Sequence, residues 1–204
     1  INKYQIYLLN NRTRNFLFCQ INLCVKITTM KWKKEVLEFL KFVIIAFVIV
    51  VPIRIFIAQP FIVSGSSMVP TFHNGEYLII DELSYYLGDP VRGDVSIFHY
   101  PNNKKIYFIK RIIGLPGETV TIKNGKVTII NEENPDGFTL NEPYIKETFN
   151  TTSTYKLQQD EYFVMGDNRN FSSDSRVWGV LPRKLLVGRA YVRLFPFDSI
   201  EHLP

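Results

Sequence analysis

An uninterrupted apolar segment near the N-terminus constrains this chain more than any other feature. Residues 42–58 contain one charged residue, Arg54, and counting back to Phe39 gives roughly the 20 residues that a membrane-crossing helix requires. A buried core helix is the alternative, but such helices usually show an amphipathic period, and this segment is apolar on every side. Pro52 and Arg54 lie near its outer end, where a kink is tolerated and a guanidinium reaches the interface. The segment predicts one transmembrane anchor over residues 39–59.

Charge is distributed unevenly on the two sides of this segment. The chain of 204 residues has a formal net charge of +5, but residues 1–41 contain eight cations and two acids, whereas residues 60–204 contain 15 cations and 17 acids. The larger part is therefore slightly acidic, which argues against nucleic-acid binding. The positive-inside rule places the basic flank in the cytoplasm and residues 60–204 outside. A cleaved signal peptide is the alternative, but Gln59-Pro60-Phe61 is a poor cleavage site, which favours an uncleaved anchor.

The first 29 residues differ in composition from the remainder. They contain no acidic residue and both cysteines, Cys19 and Cys24, whereas Met30-Lys-Trp-Lys-Lys34 is typical of the start of a membrane-anchored protein. We interpret residues 1–29 as upstream sequence read through in frame or as a disordered cytoplasmic leader, and residues 30–38 as a cytoplasmic basic segment. The exported part then contains no cysteine, so we expect no disulfide there.

Residues 60–204 consist of short β-rich segments separated by turn residues. Asn124-Gly125, between two of them, is a strong hairpin signal. Long helical periodicity is absent beyond the apolar segment, which predicts an all-β extracytoplasmic domain with a polar insertion around residues 131–160. The predicted strands cover residues 77–80, 95–98, 106–113, 119–122, 127–130, 162–165 and 190–195.

Histidine-dependent and metal-dependent chemistry is disfavoured. The three histidines, His73, His99 and His202, have no metal-ligand spacing, and no cysteine lies beyond residue 29. We therefore expect no metal and no cofactor. A Ser-His-Asp triad is the less favoured alternative, because His202 lies in the tail and the other two histidines flank loops.

Two segments instead suggest a nucleophile without histidine. Residues 64–71, Ser-Gly-Ser-Ser-Met-Val-Pro-Thr, combine small residues, which admit a substrate backbone, with main-chain N–H groups that can face an oxyanion. Such clusters are usually simple loops, and a serine also needs a base. Lys110 shares a strand face with Phe108 and Ile112, where desolvation favours the neutral amine. A lysine that extends from an edge strand into solvent fits equally well.

A polar segment, Gly166 to Arg176, follows the last but one predicted strand. Its Asp174 can pair with Arg169 or Arg176 and so fix a loop in place. Taken alone, a solvated surface loop is the better interpretation.

Together with Arg92-Gly-Asp-Val95, these segments resemble the bacterial type I signal peptidases, or leader peptidases, of Gram-positive-like type. Members are membrane-bound serine proteases that remove signal peptides from exported proteins. The resemblance covers the anchor and Pro60 to about Phe197. It implies the all-β fold shared with self-cleaving repressors, and as partners the signal-peptide-bearing preproteins, the lipid bilayer and a position close to the export machinery. The four motifs occupy residues 64–71, 92–95, 110–118 and 166–176.

Catalytic roles follow from the same resemblance. It implies Ser67, the serine immediately before Met68, as the nucleophile and Lys110 as the general base. Some members have a serine two positions before the nucleophile that donates to the oxyanion. Gly65 occupies that position here, so the oxyanion hole is expected to rely on main-chain groups such as the N–H of Ser67.

Supporting and substrate-binding roles are also implied. Ser172 corresponds to a hydroxyl that orients the lysine amine, and Asp174 with Arg176 to the ion pair that holds its loop. We expect the substrate to bind as an added strand. Its pocket walls are expected to be the strand before Lys110 and the residues Phe61, Ile62 and Val63.

Two other classes of function are disfavoured. A self-cleaving repressor would need a helix-turn-helix where the apolar segment stands. A non-catalytic domain that binds an extracellular partner would be expected to have lost Ser67 or Lys110, and both are present.

Overall fold

The computed structural model of the chain describes residues 32–51 and 59–203. Residues 1–29, interpreted above as a leader, and the part of the predicted anchor that contains Pro52 and Arg54 lie outside the described residues. The chain divides into two units, Ile1–Val51 and Pro52–Pro204. In the first unit, residues 32–51 form helix α1. Among the helices described, none is both long enough and apolar enough to cross a membrane.

The second unit is mostly β-sheet, as the strand patterns predict. All seven predicted strands are present, and five short strands accompany them. In chain order the elements are β1 (Gln59–Ile62), β2 (Tyr77–Asp81), α2 (Leu83–Leu87), β3 (Val95–Tyr100), β4 (Asn103–Gly114), β5 (Thr119–Lys123), β6 (Lys126–Ile130), β7 (Phe138–Thr139), β8 (Ser153–Lys156), β9 (Glu161–Met165), α3 (Ser175–Trp178), β10 (Leu181–Pro182), a 3-10 helix (Arg183–Leu185), β11 (Leu186–Phe195), a second 3-10 helix (Phe197–Ser199) and β12 (Glu201–His202).

Two antiparallel sheets organise these strands. The larger has eight strands in the order β1-β2-β11-β3-β4-β9-β10, with β12 also paired to β11, and the smaller has the order β7-β6-β5-β8. Strands β7 and β8 come from residues 131–160, so this polar region supplies both edges of the smaller sheet. Its description as an insertion stays a prediction.

The hairpin predicted at Asn124-Gly125 is confirmed. It joins β5 to β6, and Lys123 pairs with Lys126 across the turn. Both turn residues have positive φ, 51° for Asn124 and 72° for Gly125, which is the conformation that a two-residue turn between twisted strands requires.

Three apolar clusters lie around the central strands β4 and β9. One contains Met68, from residues 64–71 (the serine segment), and the adjacent Phe72, packed with residues of β2 and β3. A second joins the smaller sheet to β4 and β9, and the third lies beneath α2, α3 and the first 3-10 helix. Strand β9 contributes to both of the latter clusters and is therefore buried on both faces, which explains why residues 162–165 form a continuous apolar run rather than an alternating one.

Candidate active site

Lys110 and Ser67 are in direct contact. The Nζ atom of Lys110 lies 2.8 Å from Ser67 Oγ and 2.8 Å from the carbonyl oxygen of Ile109. Strand β4 lies between β3 and β9, not at the sheet edge, and Lys110 is only 4% exposed. The alternative of a lysine that extends into solvent is therefore wrong.

Burial changes the proton affinity of this amine. Desolvation lowers the pKa of Lys110 from its ordinary 10.5 to about 8, although the charges of Asp174 and Asp167 act in the opposite direction. At pH 7 about a tenth of Lys110 is thus neutral, far more than for an ordinary lysine, and its nitrogen is within hydrogen-bond distance of a serine hydroxyl. This is the arrangement that an amine base and a serine nucleophile need.

Buried anchors and main-chain contacts fix the serine segment. The side chain of Met68, directly after Ser67, is 1% exposed within the first apolar cluster. The N–H of Asn168 donates to the carbonyl of Ser67 at 3.0 Å, and its side-chain amide donates to the carbonyl of Ser66 at 3.1 Å. At the start of the segment, Gly65 N–H donates to Asn74 Oδ1 at 2.9 Å. Ser67 is therefore held from both sides.

The main chain at Ser67 is suited to an oxyanion. Its N–H has no acceptor among the described residues, so it is free to donate to a substrate oxygen. Gly65 has a φ of 98°, a conformation that side chains rarely adopt. A serine at this position would be strained, which agrees with the expectation that main-chain donors form the hole.

Gly166 permits close packing behind the serine. A Cβ atom there would lie 2.2 Å from Ser172 Oγ and 2.5 Å from the carbonyl oxygen of Ser67. Ser172 Oγ is buried and makes no hydrogen bond with the described residues. The expected hydrogen bond from Ser172 to Lys110 is therefore not among its contacts here, and the orienting role stays a prediction.

Asp174 and Arg176 form the ion pair that the resemblance implies. Arg176 donates two hydrogen bonds to the carboxylate, both at 2.8 Å. The same carboxylate caps α3 by accepting from Arg176 N–H and also accepts from Gly166 N–H at 3.0 Å. Asp174 is fully buried, so these bonds compensate its charge and tie the polar segment to the end of β9. The segment is not a solvated loop.

Sequence reasoning missed two further ion pairs beside Ser67 and Lys110, which are together called the dyad below. Arg111 donates to Asp167 at 2.9 and 2.6 Å, and Asp167 also accepts from Thr71 Oγ1 at 2.5 Å. Arg169 pairs with Glu142 instead of Asp174, through two hydrogen bonds. An arginine inside the apolar run of β4 and an aspartate directly after β9 were the available signals for the first pair.

The motif around Arg92 is structural. Arg92 forms a salt bridge of 2.5 Å with Glu118, the last residue of the lysine motif, and also donates to the carbonyl of Ile113. Asp94 accepts from Tyr85 Oη at 3.0 Å. The contacts of Arg92 connect the turn before β3 to the C-terminal end of β4, the strand that contains Lys110.

The dyad lies in an apolar groove of about 420 Å³. All three residues expected to form its walls, Phe61, Ile62 and Val63, line it, together with residues 106–109 of β4. None of the three histidines lines it. Within the described ranges, no group of three or more metal-ligating side chains is placed to hold a metal.

Sequence comparisons with known proteins indicate one family. The family model described as "Signal peptidase, peptidase S26" matches residues 36–195. Signal peptidase I P of Bacillus subtilis subsp. natto is 37% identical over 83% of this chain and 95% of its own. Probable signal peptidase I-2 of Synechocystis is 40% identical over 80% and 75%, respectively. A crystal structure of a signal peptidase I from Enterococcus faecalis V583 is 30% identical, covers 50% of this chain and 97% of that one, and has a TM-score of 0.44. The family model matches most of the length of this chain, which therefore belongs to the signal peptidase family, peptidase S26.

Proposed function

We propose that this chain is a membrane-anchored serine endopeptidase, a signal peptidase I, that cleaves signal peptides from exported preproteins with Ser67 and Lys110. The observation that carries the proposal is the 2.8 Å contact between Ser67 Oγ and the buried amine of Lys110, at one wall of an apolar groove. Family membership agrees with it.

The first half of the reaction forms an acyl-enzyme. Neutral Lys110 accepts the proton of Ser67 as Oγ attacks the carbonyl carbon at the end of the signal peptide. The N–H of Ser67 donates to the developing oxyanion. When the tetrahedral intermediate collapses, the C–N bond breaks, and the ammonium of Lys110 donates its proton to the leaving amine.

The second half of the reaction releases the signal peptide. Lys110, neutral again, accepts a proton from a water molecule that attacks the ester carbonyl. Collapse of the second intermediate returns the proton from Lys110 to Ser67 Oγ. Asp174 and Arg176 hold the segment behind Ser67 and Lys110, and Ser172 has the orienting role that the family resemblance implies.

The groove accommodates the cleavage site as an added strand. Small side chains at positions −1 and −3, the two alanines of an Ala-x-Ala site, occupy the shallow apolar pockets beside Phe61, Ile62 and Val63. Positions −1 and −3 enter the groove together because alternate residues of a strand point to the same side. Shallow pockets then admit only small side chains at these two positions.

The membrane part of the proposal rests on residues 39–59. The described part of this segment belongs to α1, where apolar side chains such as Phe42 and Phe47 are 68% and 67% exposed. Exposed apolar side chains in such number favour a lipid environment. We place the short N-terminal flank in the cytoplasm and residues 60–204 on the outer surface of the cell membrane, near the export machinery, in a single-pass topology.

Cleavage of a preprotein by the detergent-solubilised full chain tests the proposal. We expect cleavage after an Ala-x-Ala site and no detectable cleavage by Ser67→Ala, because the nucleophile is absent. Ser199→Ala is the matched control, since Ser199 contacts Asp198 and does not line the groove. Undiminished cleavage by Ser67→Ala would show that another group is the nucleophile.

A further inference from the structure

Phe171 is an exposed aromatic residue in a segment that also contains several buried charged side chains. Among its neighbours, Asp167 is 2% exposed, Arg169 4% and Asp174 0%, whereas Phe171 is 71% exposed. An apolar ring left in water in so ordered a segment needs an explanation, because its burial would stabilise the fold.

The chain at Phe171 and directly before it is held by hydrogen bonds. Its own N–H donates to the carbonyl of Asn168 at 3.1 Å. The side chain of Asn170 donates to Glu147 Oε2 at 3.1 Å and to the carbonyl of Thr148 at 3.2 Å. The segment therefore holds the ring outward, and its exposure does not come from a loosely held loop.

The ring is part of the groove that contains the dyad. Phe171 lines this groove with Ser173, while the other walls come from β1, from β4 and from the serine segment. Because the ring is mostly exposed, it stands at the mouth of the groove and not on its floor. A peptide that reaches Ser67 must pass beside it.

Strand geometry identifies the substrate residue that the ring meets. Successive side chains of a strand point to opposite sides. If positions −1 and −3 point into the groove, then the residue between them, at −2, points away from the floor towards the mouth. We infer that Phe171 contacts the side chain at −2 and makes the enzyme prefer an apolar residue there. This inference rests on the proposed function.

Peptide substrates that differ only at −2 test the inference. With leucine, alanine or aspartate at the centre of an Ala-x-Ala site, the wild-type chain is expected to favour leucine over aspartate by about tenfold in kcat/KM, mainly through KM. Phe171→Ala is expected to reduce this ratio to about twofold or less, and Phe171→Leu to retain most of it. The pH profile of kcat stays unchanged, since the ring does not touch Lys110 Nζ.

Val177→Ala is the matched control. Val177 is 73% exposed on α3, close to Phe171 in sequence, but it does not line the groove, so its removal should leave the ratio unchanged. Circular dichroism of each variant verifies folding. An equal ratio in wild type and Phe171→Ala, or a preference that moves with the residue at +1, overturns the inference. A wild-type chain that cleaves no peptide and no preprotein contradicts the proposed function itself.

Discussion

Lys110 and Arg111 are adjacent basic residues of β4, and the two sides of this strand give them opposite surroundings. On the groove side, the hydrogen-bond partners of Lys110 are the hydroxyl of Ser67 and a carbonyl oxygen, neither of which carries a charge. On the other side, Arg111 forms a bidentate pair with the buried carboxylate of Asp167, and the ring of Tyr144 lies 4.1 Å from its guanidinium.

Proton affinity differs accordingly. Burial lowers the pKa of Lys110 to about 8, since Asp174 and Asp167 act on it only at a distance. Burial alone would also lower the pKa of Arg111, but the hydrogen bonds and charge of Asp167 raise it above its ordinary value. A buried cation with a direct counter-ion stays charged and supports the structure, whereas one without a counter-ion is prepared to lose its proton.

The largest expected effect comes from a permanently charged side chain at position 110, on the groove side of β4. Lys110→Arg places a guanidinium beside Ser67 that does not deprotonate, so cleavage should fall at least about a thousandfold. Lys110→Met should be equally inactive, because it lacks the base. Rates of preprotein cleavage by purified variants measure both effects.

Stability separates this result from a folding defect. Lys110→Met removes a buried amine that has no direct counter-ion, so this variant should unfold at the same urea concentration as the wild type or at a higher one. Lys105→Arg, on the exposed part of the same strand, controls for substitution in β4 and should keep full activity. Appreciable cleavage by Lys110→Arg would contradict the assignment of Lys110 as the base.

Strand alternation depends only on local order, so the sequence predicted which residues share a face with Lys110 but left open whether that face is buried. Alternation placed Lys110 with Phe108 and Ile112, and the structure buries it there. Asn124-Gly125 predicted its turn for the same local reason. Strand β1 was not predicted, since Gln59-Pro60-Phe61-Ile62 is short and contains a proline, which is tolerated because β1 lies at the edge of its sheet.

Ion-pair partners could not be predicted from local order alone, because they depend on long-range packing. Local order left Asp174 with two candidate arginines, the family resemblance implied Arg176, and the structure forms that pair. Arg169 instead contacts Glu142, which lies 27 residues earlier, within the polar residues 131–160. Nothing in local order indicates that this segment returns to the active site.

Removal of the paired cation should have a smaller effect on activity and a larger one on stability. Arg111→Ala leaves Asp167 buried without its counter-ion, which costs about 3–5 kcal/mol in the free energy of unfolding. Asp167 also contacts Thr71 of the serine segment, so we expect cleavage to fall by about ten- to a hundredfold through misplacement of Ser67. Urea unfolding and cleavage rates measure the two effects.

A double variant shows whether the loss comes from the unpaired carboxylate. Adding Asp167→Asn to Arg111→Ala removes the uncompensated charge and should restore part of the lost stability. A double variant that loses no more free energy of unfolding than Arg111→Ala alone supports a tightly coupled pair. Strict additivity would show that Arg111 and Asp167 act independently.

The smallest expected effect is the pH dependence of activity and stability, which we expect from Lys110 and not from Arg111. The neutral form of Lys110 is the active one, so kcat/KM should rise about tenfold per pH unit below the pKa of about 8 and level off above it.

Stability should also depend on pH. In the unfolded chain, Lys110 keeps its proton up to the ordinary pKa of 10.5. Between these values the unfolded state binds more protons than the folded state, so wild-type stability should rise with pH relative to Lys110→Met. Parallel unfolding curves measured from pH 7 to about pH 10 for both proteins verify the sign. A constant difference between them, or a kcat/KM that does not change across this range, would mean that the amine beside Ser67 does not lose its proton there, and that Lys110 resembles Arg111 after all.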